Sequence, residues 1–152
     1  MRTILSVCVL LCIASSAFSQ KTNPNYDSTL AKKYGSDDYG MKMYILVMLK
    51  TGSNTTEDKA LKDSLFAGHM DNINRLVKIN KLVVAGPLAK NDKTYRGIFI
   101  LDVKTFEEAN ALLATDPAIK GNLLAADMFQ WYGSAALPAY LDVNDKVWKK
   151  GF

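Results

Sequence analysis

Ten consecutive residues, Met41 to Lys50 (MKMYILVMLK), are apolar at almost every position, and Thr51-Gly52-Ser53-Asn54 then breaks the run. Its length and density match a central strand covered on at least one face. The next segment offers a cover. From Thr56 to Asn80, Leu61, Leu65, Ile73, Leu76 and Val77 recur at three- and four-residue steps, the stripe of one amphipathic helix. Leu82 to Pro87 (LVVAGP) reads as a second strand stopped by Gly-Pro. Tyr95 to Val103 (YRGIFILDV) reads as a third, paired with the second in a hairpin. Thr105-Phe106-Glu107-Glu108 has the shape of a capping box and opens a helix through Ala114. Asp116-Pro117 starts a short turn or helix ending near Gly121, and Ala125 to Trp131 is the fourth strand. The order β-α-β-β-α-β, with two right-handed crossovers, predicts an α+β, ferredoxin-like fold. Its sheet is four-stranded and antiparallel, with both helices on one face. The bare face is apolar enough to need covering, and a second copy of the chain is the expected cover: a homodimer through the sheet face.

The ends of the chain read differently. Residues 1–19 combine Arg2, the apolar run Ile4 to Ile13 and small residues at Ala17 and Ser19, the grammar of a secretory signal peptide cleaved between Ser19 and Gln20. The apolar run is much shorter than the roughly 20 residues of a spanning helix, so no stable membrane anchor is expected after cleavage. The protein is expected to be exported, either periplasmic or secreted. Both cysteines, Cys8 and Cys12, fall in the removed segment, which leaves no thiol for disulfides, nucleophiles or thiolate metal sites. Residues 20–40 read as a linker or N-terminal arm, 41–132 as the folded domain, and 133–152 as a C-terminal extension whose Trp148 and Phe152 are expected to dock on the body.

Charge excludes one class of partner. The net charge is +4, the lysines are scattered, and arginine is nearly absent. Nucleic-acid surfaces cluster Arg and Lys among exposed aromatics, so no nucleic acid is expected. Acidic small molecules remain open as partners.

Three residues carry candidate chemistry. His69 is the single histidine, four residues after Leu65 and four before Ile73, on the stripe that faces the sheet. It is either a core histidine satisfied by a backbone carbonyl or a general acid or base, since histidine titrates near neutral pH without help. Asp116 precedes Pro117, a common helix start in which the carboxylate caps free N–H groups. Arg96 either anchors an anionic group of a substrate or pairs with a surface acid. One histidine without cysteine does not make the usual zinc ligand sets, and no glycine-rich phosphate loop is present. Neither a metal nor a cofactor is expected.

Taken in order, these residues resemble the YCII-related (YciI-like) family. The resemblance runs from about Met43 to Trp131. It consists of the apolar first strand, His69 on the first helix, Asn80-Lys81-Leu82 leading to Ala85-Gly86-Pro87, Arg96-Gly97-Ile98-Phe99, Glu107-Glu108-Ala109, Asp116-Pro117 and the strand ending at Trp131. The family pattern has glycine where Asn80 stands. The resemblance implies a ferredoxin-like domain that dimerises sheet to sheet into an α+β barrel. It also implies an active-site histidine–aspartate pair at His69 and Asp116, with Arg96 holding an anionic substrate group. In that reading Asp116 fixes the imidazole tautomer, and the other ring nitrogen moves a proton in an abstraction, elimination or isomerisation. Family members include a dehydrochlorinase-type enzyme acting on a chlorinated hydroxyquinol. Two other readings use the same barrel: a small-ligand-binding or assembly module without turnover, and a haem protein with His69 as axial ligand.

Overall fold

The computed structural model describes residues 23–150. The expected signal segment and Phe152 lie outside the described residues. Four strands, β1 (Met41–Thr51), β2 (Leu82–Pro87), β3 (Tyr95–Leu101) and β4 (Leu124–Ser134), form one sheet in the order β2-β3-β1-β4. Every neighbouring pair is antiparallel. This is the ferredoxin-like α+β arrangement. β1 is central: β4 pairs with its whole length, from Met41↔Ser134 to Thr51↔Leu124, and β3 takes its other side from Ile45↔Leu101 to Lys50↔Tyr95. The last strand is longer than its apolar stretch because Tyr132, Gly133 and Ser134 continue the ladder.

The connections carry α2 (Lys59–Lys78), α3 (Phe106–Leu113) and the single turn α4 (Pro117–Lys120). Thr105 accepts from the Glu108 N–H while Glu108 reaches back to the Thr105 N–H, so α3 opens with the expected capping box. α2 is shorter at its start than its periodicity, because Asp58 caps it by accepting from the Leu61 N–H. Its far end turns through Asn80 at φ 56°. That left-handed conformation favours glycine, and asparagine tolerates it at modest cost.

Alternation along the strands sends two apolar sets to opposite faces. Ile45, Val47, Leu49, Phe99, Leu101 and Leu124 meet Leu76 of α2, Ala109 and Leu113 of α3 and Ala118 of α4 in the main core. The opposite face gathers Tyr44, Val83 and Ile100, with Leu46, Val84, Trp131 and Leu137 packed around them. A 3-10 turn (Leu137–Tyr140) and the short α5 (Leu141–Asn144) follow β4. Leu137 packs on that second face, and the Tyr140 hydroxyl donates to the Val83 carbonyl of β2. The extension thus docks through Leu137 and Tyr140. Trp148, expected to dock, is 55% exposed instead. Before β1 the arm holds a helix, α1 (Ser28–Tyr34), capped by Asp27 and closed by Gly35 at φ 68°, with no buried residue.

Tyr44 makes the second face sensitive to alkali. Its side chain is fully buried and its hydroxyl donates to the Ser134 carbonyl at 2.9 Å. Burial, aided by the nearby Asp102 carboxylate, pushes its phenol from 10.0 up to about 12. An unfolded chain ionises this phenol near its ordinary value, so between the two the unfolded state gives up a proton that the folded state keeps. Tyr44 therefore contributes its full stability below that window and loses it as pH rises through it. Urea unfolding near pH 9 and pH 11 should show a larger drop for the wild type than for Tyr44→Phe.

Candidate active site

Close approach of α2 and α4 builds the site. Gly68 lies within α2, where glycine costs about 1 kcal/mol relative to alanine. A Cβ there would stand 2.7 Å from the Pro117 ring, so the bare backbone is what lets α4 begin against α2. Pro117 occupies the first turn, where its missing N–H costs nothing, and Asp116 is the cap. One carboxylate oxygen, Oδ1, accepts from the Ala118 N–H at 2.9 Å and the Ile119 N–H at 3.3 Å. The other, Oδ2, lies 2.7 Å from Nδ1 of His69. Asp116 is fully buried and His69 is 9% exposed.

Asp116 thus caps α4 with one carboxylate oxygen and faces the His69 ring with the other. The chemistry of the contact also assigns the neutral ring: Nδ1 carries the proton because a carboxylate oxygen only accepts. Nε2 has no hydrogen-bond partner among the described residues. No fully buried side-chain nitrogen or oxygen among them is left unpaired, so Nε2 reaches the surface. The ring is fixed from both sides, stacked on Phe99 at 5.8 Å and met edge-on by Phe66 at 6.2 Å. Phe66 is partly exposed at the rim.

A polar chain continues behind the pair, and nothing in the reading of the sequence foresaw it. Asn72 is buried one turn after His69, its Nδ2 3.5 Å from Asp116 Oδ2. Its Oδ1 accepts from Arg75 Nη2 at 2.8 Å and from Arg75 Nε at 3.3 Å, and the Thr115 hydroxyl lies within reach of both this oxygen, at 2.9 Å, and the Leu112 carbonyl, at 2.6 Å. Arg75 Nη2 also donates to the Thr115 oxygen at 2.6 Å. The available signal was spacing: His69, Asn72 and Arg75 stand three apart and share one helical face, and Thr115 precedes Asp116.

Arg96 is not brought to this cluster. It is exposed, at the point where the β1–β3 register shifts between Leu49 and Lys50, and its Nε donates to Thr51 Oγ1 at 2.6 Å. The arginine linked to the pair is Arg75. No group of three or more His, Cys, Asp or Glu side chains converges to hold a metal among the described residues.

The fold and the site together define a ferredoxin-like α+β domain carrying a buried histidine–aspartate pair with one open ring nitrogen. The chain belongs to the YCII family: the model of the YCII-related domain matches residues 43–131. Among solved structures, it is similar to 5-chloro-2-hydroxyhydroquinone dehydrochlorinase from Burkholderia phenoliruptrix, determined in complex with 2,5-dihydroxybenzoquinone. The identity is 20%, the TM-score is 0.40, and the match covers 57% of this chain and 92% of the other. No curated protein sequence matches the chain.

Proposed function

We propose that this protein is an exported acid–base enzyme acting on a small organic substrate, with His69 as the catalytic group and Asp116 as its orienting partner. One observation carries the reading: a 2.7 Å contact from Nδ1 to a fully buried carboxylate, with Nε2 left open. Held this way, neutral imidazole presents a lone pair at Nε2 to a C–H or O–H of the substrate. After taking that proton, the cation rests on the Asp116 carboxylate and can return the proton to a leaving group or a neighbouring carbon. Elimination and isomerisation both use that sequence. Such a positioned base contributes typically 10²–10⁴-fold in rate, so His69→Gln is expected to remove about that much of any turnover.

The pair can be tested before a substrate is found. With one histidine in the chain, its ring ¹⁵N signals need no assignment. The wild type should show the Nδ1–H tautomer. In Asp116→Asn the side-chain oxygen is free to keep the cap while its NH₂ group faces Nδ1, which forces Nδ1 to accept, so the tautomer should reverse to Nε2–H. Identical spectra for the two proteins would leave a helix cap beside an unrelated histidine, and the binding-module reading would then take precedence.

The proposal includes a second copy of the chain on the open face. Leu46 pairs across the ladder with Phe129, and Met48 with Ile98, so these four share that face. Phe129 is 51% exposed there. Phe129→Lys should shift the protein from dimer to monomer in light scattering with little change in its circular dichroism; a wild-type monomer would remove the dimer from the proposal. Export rests on residues 1–19, and a mass beginning at Gln20 for protein recovered outside the cytoplasm checks it.

A further inference from the structure

We infer that Arg75 and Asn72 are positioning residues that hold the Asp116 carboxylate in the plane His69 requires; this rests on the His69–Asp116 reading above. The backbone N–H groups of Ala118 and Ile119 both bind Oδ1. Anchored there alone, the carboxylate can still turn about its Cβ–Cγ bond and swing Oδ2 off the line to Nδ1. Carboxylate torsions of this type are broad and carry little intrinsic barrier. A second fixed donor at Oδ2 removes that freedom, and Asn72 Nδ2 is the group placed to supply it.

Asn72 can do so only in one of its two amide orientations. Its other end receives two donors from the Arg75 guanidinium, while the single proton of the nearby Thr115 hydroxyl has the Leu112 carbonyl as its closer acceptor. Those donors require an oxygen, so the amide nitrogen must face Asp116. Turned over, the NH₂ group would meet a guanidinium and the carbonyl would meet a carboxylate, unfavourable at both ends. Arg75 is therefore the selector. Its Nε and Nη2 address a single oxygen, and Nη2 also ties in Thr115, the residue adjoining Asp116. Arg75 is exposed, so it acts at a distance from Nδ1 through one buried amide rather than through its own contact.

The readout is the downfield Nδ1–H proton of His69 and its exchange with water, measured on the full mature chain. Arg75→Met removes the selector from an exposed position and is expected to leave the thermal melt nearly unchanged. Asn72→Ala removes the donor itself. Each is expected to speed Nδ1–H exchange, and to lower the Nδ1–H to Nε2–H ratio, by about twofold, less than the roughly fivefold worth of one ordinary hydrogen bond because the Asn72 contact is long at 3.5 Å. Arg75→Lys should recover only part of the loss, because one ammonium cannot reproduce the guanidinium fork. Unchanged or slower exchange in Arg75→Met, with Asp116→Asn still reversing the tautomer, would overturn this inference and leave the pair intact. If Asp116→Asn has no effect either, the pair itself is at fault and the inference falls with it.

Discussion

Asp116→Ala is expected to lower stability by about 3 kcal/mol or more, the first of two large losses expected around α4. The residue is fully buried and engages two elements at once. Removing a helix cap costs about 0.5–2 kcal/mol. Each buried donor left without a partner costs about 1–3 kcal/mol more, and the Ala118 N–H, the Asn72 amide and His69 Nδ1 all face the vacated space. Asp116→Asn keeps an oxygen for the cap and should lose much less. Urea unfolding of the two variants separates the roles: a large gap between them assigns most of the stability to satisfied donors, whereas equal losses would point to the charge.

Gly52→Ala is the second, at about 2–3 kcal/mol. A Cβ at that position would stand 2.0 Å from the Asn122 carbonyl oxygen and 2.7 Å from its carbon, both backbone atoms with no torsion of their own to yield. Around it the end of β1 is stitched to the turn between α4 and β4. The Gly52 N–H donates to the Leu123 carbonyl, the Asn54 N–H to the Asn122 carbonyl, and Asn54 Nδ2 to the Gly121 carbonyl. Relief of the clash has to part those strands of chain, and α4 moves with them. The melting temperature should fall and the His69 tautomer should become mixed in the same variant. A melt within a degree of wild type would mean that the turn gives way freely.

Most of the fold was legible because its elements are defined by burial. The runs at 41–50, 82–87 and 95–103 are apolar beyond what a surface allows, and the helices between them show a stripe. α1 was illegible for the complementary reason: it buries nothing and is held by Asp27 at one end and Gly35 at the other, so it has no period to read. Trp148 was expected to dock, yet the tail is anchored by Leu137 and by the hydroxyl of Tyr140. At the site, His69 stands out by rarity and Asp116 by its proline. Asn72 and Arg75 look like ordinary solvated helix residues; Arg75 is one by exposure, while the burial of Asn72 shows only through partners distant in sequence, Thr115 and Asp116. Arg96 shows the reverse. Its place beside a glycine in a strand suggested an anchor, and the shifted register gives it Thr51 as a neighbour instead.

The path of the chain after β4 has a mechanical consequence. β4 is one edge of the sheet and β2 the other, yet Leu137 and Tyr140 cross between them and Tyr140 holds Val83. The two edges are therefore tethered by the tail as well as by the strands between them. A pull applied at the carboxyl end, by a protease threading the chain or by an optical trap, first loads that single phenol and its small apolar footing. Only after they release does force reach Ser134 and begin to peel β4 from the full length of β1.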